Sequence, residues 1–194
     1  MADVSHVRMG VPEQGQLNRI LREAGTTAFP QWLYAEPADE AMILWWGIRG
    51  APTQLLEPSE DPARDRLLPR PIDDWSEPPR GLVLATADAR RAAGELAPVL
   101  GDGWHTAGED PLFGARCYRI ALGRGFLVLA EPMGDGYAAT CIDRFGEGPI
   151  AVALDGDSAT GRNTRWNPVS LGPAVYVRAG DAIRAPTFIF LQAG

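Results

Sequence analysis

Apolar and polar positions along this chain fall into short alternating runs rather than long helical stripes. The clearest run is residues 116–132, RCYRIALGRGFLVLAEP. Tyr118, Ile120 and Leu122 alternate there with Cys117, Arg119 and Ala121, the two-residue period of a strand with unlike faces. Gly123-Arg124-Gly125 predicts the turn, because glycine accepts the positive φ of a tight hairpin. On the return strand Leu127, Leu129 and Glu131 share one face, and Phe126, Val128 and Ala130 share the other. A carboxylate closing an apolar row is costly to bury unless something positive or protonated meets it. Pro132 cannot donate to a ladder and ends the strand. Residues 42–58, MILWWGIRGAPTQLLEP, repeat the pattern and close on Glu57-Pro58 as the first run closes on Glu131-Pro132.

The flanking segments extend each hairpin into a unit. Residues 4–11 read as a strand carrying His6, and Leu17, Ile20, Leu21 and Ala24 recur at helical spacing until Gly25. Residues 29–35 read as a second strand before the hairpin of 41–57. Residues 81–87 open the next unit, Asp88 is a good N-cap, and Ala92, Ala93, Leu96 and Leu100 form a helical stripe that Pro98 should end or kink. Gly103-Trp104-His105 opens a strand ahead of the hairpin of 115–131. Both stretches therefore read β-α-β-β-β, with nearly equal spans from His6 to Glu57 and from Gly81 to Glu131. The proline-rich, charged stretch 59–79 between them shows no periodicity and reads as a linker. A connecting helix over 136–147 leads to GPIAVAL (148–154) and a degenerate third unit, with two later strands, AVYVRAG and TFIFLQ, and Gln192 in the place of the two glutamates. The expected division is 1–58 for the first unit, 59–79 for the linker, 80–133 for the second unit and 134–194 for the connecting helix and third unit.

Composition narrows the function classes. A formal charge of −7 argues against a nucleic-acid footprint. All 18 basic residues are arginine, a bias given no functional weight. Two cysteines imply no disulfide framework. The N-terminal residues lack a basic start and an apolar run, and no stretch approaches the ~18 apolar residues of a membrane span. The expected setting is the cytoplasm, without membrane or nucleic-acid partners.

Four phrases together resemble the vicinal oxygen chelate superfamily, the group of glyoxalases, methylmalonyl-CoA epimerases, extradiol dioxygenases and bleomycin-resistance proteins. They are Ser5-His6-Val7 at a unit start, Leu56-Glu57-Pro58 and Ala130-Glu131-Pro132 at unit ends, and Arg144-Phe145-Gly146-Glu147-Gly148-Pro149 as an epimerase-type bridge between units. The resemblance implies an α+β fold of duplicated β-α-β-β-β units in a curled mixed sheet whose cup holds a divalent metal. Carried over residue by residue, His6, Glu57 and Glu131 would be the ligands of Fe, Mn, Ni, Co or Zn. The second unit offers Gly81 where the family has His or Gln, a gap through which a member can lose its metal. Pairing units one and two would bring His6, Glu57 and Glu131 together and is the expectation. The bridge phrase instead joins units two and three, which would leave unit one to cap the cup or to dimerise.

The leading function is then a small-molecule isomerase or lyase acting through an enolate-like intermediate, with Glu57, Glu131 or His105 moving the proton. A role in specialised metabolism rests on fold analogy alone. The alternative is a metal-free protein of the same fold that sequesters a drug or metabolite. His105 has the chemistry of an acid or base, and also the position of a surface histidine at a strand start. Tyr118 and Arg119 face opposite sides, so one enters the cup, and an arginine there would suit an anionic ligand.

Overall fold

The computed structural model describes residues 3–11, 33–37, 42–49, 79–123, 125–155, 164–166, 174–178 and 187–191. In the first unit these are β1 (Asp3–Val11), β2 (Leu33–Pro37) and β3 (Met42–Arg49). The second unit is β4 (Gly81–Ala85), α1 (Ala89–Leu100), β5 (His105–Asp110), β6 (Ala115–Leu122) and β7 (Gly125–Pro132). A connecting helix, α2 (Tyr137–Phe145), leads to β8 (Gly148–Asp155), β9 (Thr164–Trp166), β10 (Ala174–Arg178) and β11 (Thr187–Leu191). The helix expected at 17–24, the linker except Pro79, Glu57 and Gln192 lie outside the described residues. No helix among the described residues is long and apolar enough to cross a membrane.

The fold is α+β on a mixed sheet. Its strand order is β5-β6-β7-β4-β8-β11-β10-β9. From the central antiparallel pair β4–β8 the sheet reads the same way in both directions: first strand, fourth, third, second. In each half the first strand runs parallel to the fourth, β4 beside β7 and β8 beside β11. The second and third units therefore pair with one another, as the bridge phrase implies, and the expected pairing of one with two is corrected. The third unit also has a strand that its sequence hid. Thr164-Arg165-Trp166 pairs with β10 over three residues, too few for a two-residue period to show.

The first unit forms a separate sheet in which β1 lies between β2 and β3. β1 is parallel to β2 and antiparallel to β3. In the second unit β4 touches neither β5 nor β6 in the ladder. Among the described strands, the first strand of unit one thus pairs with the two that follow it, whereas that of unit two does not. The small sheet packs on the large one, β3 against β8 and β1 against β7, and Val7 is fully buried.

Local chemistry explains the elements of the second unit. Asp88 caps α1 from an extended conformation, its Oδ1 accepting the Arg91 N–H at 2.9 Å. Pro98 stands in the last turn, where α1 runs two residues further to Leu100 and closes on Gly101 at φ 82°. In the β6–β7 hairpin Leu122 pairs with Gly125, leaving a two-residue turn with Gly123 at φ 44°.

The two faces of the large sheet differ in side-chain size. Leu82, Leu127, Leu129 and Val152 lie on one face, cross-strand partners sharing a side. α1 packs against β7 on that face, since Ala89 N–H donates to Glu131 there. The opposite face carries Gly81, Val83, Ala85, Cys117, Val128, Ala130, Ala151 and Ala153. Tyr137, Ala138 and Cys141 of α2 join this buried cluster together with Phe113.

Candidate functional site

One cross-strand row brings chemistry onto the small-residue face. His105 of β5 pairs with Arg119 of β6, which pairs with Val128 of β7. The row continues through Val83 to Ala151. Directly opposed residues on adjacent antiparallel strands have Cβ atoms about 4.5–5.5 Å apart, so the imidazole and the guanidinium start as neighbours. His105 is exposed and Arg119 half-buried. Between the two residues that sequence placed on opposite sides, it is Arg119, not Tyr118, that takes this face.

The guanidinium of Arg119 lies over the ring of Phe126, 4.6 Å from Cζ to the ring centre. That is within cation–π range and holds the planar fork flat against the ring. Gly81 makes room for the ring. A Cβ at residue 81 would stand 2.5 Å from Phe126 Cε2 and 2.6 Å from the Phe126 carbonyl oxygen. The gap at Gly81, where the resemblance expects a ligand, is thus filled by an aromatic side chain. Burial holds the Arg119 guanidinium below its usual pKa, and the charge of Arg80 adds to that effect. Trp104 precedes His105, and its buried indole N–H has no acceptor among the described residues.

Glu131 is on the other face. It follows Leu127 and Leu129 in the strand alternation and pairs with Arg116, and its Oε2 accepts the Ala89 N–H at 3.0 Å. The start of α1 has unpaired N–H groups and a partial positive charge, which answers the cost of placing a carboxylate at the end of that apolar row. Glu147, from the bridge phrase, closes over the same turn. Its Oε1 accepts the Ala87 N–H at 2.7 Å and the Thr86 hydroxyl at 3.1 Å, and its Oε2 pairs with Arg91. Arg91 also holds Glu95 at 2.8 Å. The guanidinium of Arg91 keeps the Glu147 carboxyl below its ordinary value against partial burial, with the Ala87 N–H and Thr86 hydroxyl adding to it. This network ties the bridge between units to the β4–α1 turn.

Of the four candidates from sequence, the described residues place the side chains of two. His105 and Glu131 occupy opposite faces of the sheet. His6 lies in β1 opposite Gly47, its side chain outside the described residues, as is the whole of Glu57. Among the described residues no three His, Cys, Asp or Glu side chains gather to hold a metal. Val83, Val128 and Ala151, at the centre of the row, carry no donor atoms in their side chains, so the described residues do not fit a metal there. Sequence reasoning missed Phe126 as the brace for Arg119 and Glu147 as the clamp on the β4–α1 turn. The two-residue turn, once registered, would have placed Arg119 beside Val128 and one register step from Phe126.

No family model matches the chain, and no curated protein matches it. Solved structures do. A hypothetical protein, BH1468, from Bacillus halodurans C-125 is similar at 17% identity and a TM-score of 0.46, covering 61% of this chain and 96% of that one. Methylmalonyl-CoA epimerase from Mycobacterium tuberculosis is similar at 14% identity and 0.46, covering 60% and 87%. A Streptomyces coelicolor methylmalonyl-CoA epimerase variant complexed with 2-nitronate-propionyl-CoA is similar at 16% identity and 0.46, covering 60% and 96%.

Proposed function

We propose that this chain is a small-molecule enzyme of the vicinal oxygen chelate type, an isomerase or lyase that moves a proton next to a carbonyl group. The observation that supports the reading is the direct opposition of His105 and Arg119 on the small-residue face. In this reading the His105 imidazole takes a proton from the carbon beside the carbonyl. The Arg119 guanidinium, held on Phe126, faces the negative charge that develops on the enolate oxygen. Return of the proton completes an isomerisation, and departure of a leaving group completes an elimination. Glu131 takes no part in the step and holds the start of α1.

Solvent exchange tests this reading. Protein in D2O is offered a panel of 2-oxo acids and 1,3-dicarboxylates, and loss of the C–H signal is followed by proton NMR. The expected result is catalysed exchange with at least one compound, slowed about 10²–10⁴-fold in His105→Gln. Exchange that survives His105→Gln at full rate would remove His105 from the mechanism.

In a second reading the His105–Arg119 edge binds and sequesters a metabolite without turnover, and the panel shows binding but no exchange. A metal on His6, Glu57 and Glu131 remains a separate proposal, which requires Glu131 to leave Ala89. Stoichiometric metal that is lost in His6→Ala would establish it. The division at 58, 79 and 133 is kept as part of this reading, with the second and third units carrying the site.

A further inference from the structure

The resemblance read from the sequence expects a divalent metal in the cup of two paired units, and the donor groups of the large sheet run against it. A catalytic first-row metal takes imidazole, carboxylate or thiolate groups, usually three of them around one point. The one histidine of this sheet, His105, stands on β5, three strands away from β4. Neighbouring strands lie about 4.7–4.9 Å apart, so His105 starts roughly 14 Å from the central pair. Glu131 lies on the leucine face and accepts the Ala89 N–H at 3.0 Å. Glu147 is taken up by Thr86, Ala87 and Arg91. At the centre stand Val83, Val128 and Ala151, opposed across β7, β4 and β8 and fully buried. A divalent ion among these side chains would lose its water and gain no ligand in return. At Gly81 a side chain of any kind would run into the Phe126 ring. Cys117 and Cys141 are buried in the same cluster, but no third donor gathers with them among the described residues.

We infer that the described residues of the paired units form no metal centre. Glu131, His105, Cys117 and Cys141 ligate no divalent ion, and the middle of the sheet, where the resemblance expects one, is hydrophobic core. The inference opposes ligation by Glu131 and stands apart from the His105–Arg119 reading, which routes no step through a metal.

Cobalt(II) titration of the full chain, first stripped with EDTA, tests the inference by calorimetry and by absorption. The proteins compared are the wild type, Glu131→Gln and His105→Gln. A glutamine at 131 keeps an oxygen for the Ala89 N–H, and His105 is exposed, so both variants are expected to fold. The expected result is cobalt binding that is the same in all three proteins, or absent from all three, with no cobalt–thiolate charge-transfer band. Weakening of about tenfold or more in Glu131→Gln or His105→Gln, the scale on which altering a metal's surroundings acts, would overturn the inference. A cobalt–thiolate band would overturn it as well, since Cys117 and Cys141 are the two cysteines of the chain. Neither readout depends on turnover, so the outcome is separate from that of the exchange experiment.

Discussion

The two faces of the large sheet use the same strands for opposite ends. One face is built of leucines, with Leu82, Leu127 and Leu129 almost fully buried and Glu131 at its rim serving the first turn of α1. The other carries glycine, alanine and valine with Phe126 and Ile189, is packed under α2, and has His105 and Arg119 toward its β5–β6 edge. A large aliphatic side chain contributes about 1.5–3 kcal/mol when fully buried, so Leu82, Leu127 and Leu129 stabilise the first face as Ile189 does the second. Small side chains let another layer approach closely, and α2 and Phe113 take up that space over the buried part of the second face, with His105 and Arg119 toward its β5–β6 edge. A carboxylate on the first face accepts from the start of α1, and the arginine on the second stacks on Phe126. One step of strand register separates those two roles.

The largest effect should come from filling the room on the small-residue face. Gly81→Ala places a methyl group 2.5 Å from the Phe126 ring and 2.6 Å from a backbone oxygen, contacts that real structures do not contain. Overpacking of this kind costs about 1–3 kcal/mol, to be read as a drop in the urea midpoint. Because Phe126 must shift, the same variant should also slow the exchange assigned to His105 and Arg119. Stability lost with exchange intact would separate Phe126 from Arg119 and break the comparison.

A smaller effect is expected on the leucine face. Glu131→Ala removes the acceptor of the Ala89 N–H and should cost about 1 kcal/mol, the usual value of a helix-start acceptor. Equilibrium unfolding measures it. A cost near zero would mean that Asp88 alone is sufficient to hold the first turn.

The smallest effect belongs to the clamp on that turn. The Glu147 carboxyl is held below its ordinary value of 4.5 by Arg91. A depressed carboxylate contributes stability that is complete above its unfolded value and is lost as pH falls through the folded one. The wild type should therefore lose stability below about pH 4.5 more steeply than Glu147→Gln, while the two run parallel at neutral pH. Glu147 is about one-third exposed, so solvent screening keeps the difference slight. Parallel curves through the acid range would remove the clamp.

Much of this architecture was legible in the residues. The alternation around residue 120 and the glycines after Leu122 specified the β6–β7 hairpin, and Asp88 specified the start of α1, because those signals are local. The use of Glu131 was not. Its place at a strand end is local information, but which face the following helix covers is not, so a metal ligand and a helix acceptor look alike in sequence. The pairing of units was hidden for the same reason. The repeat reads as pairing units one and two, and the β4–β8 ladder pairs two with three instead. The described strands of the first unit place β1 in the middle of their sheet, since strand order along the chain does not determine which edges meet.

The central claim is that the chemistry belongs to His105 and Arg119 at the β5–β6 edge and not to the glutamate at the end of β7. Solvent exchange by Arg119→Gln and Glu131→Ala side by side, each first shown folded, tests it most directly. The account predicts that Glu131→Ala, although less stable, exchanges at the wild-type rate, while Arg119→Gln is slowed about tenfold or more. Loss of exchange in Glu131→Ala with exchange retained in Arg119→Gln would contradict it.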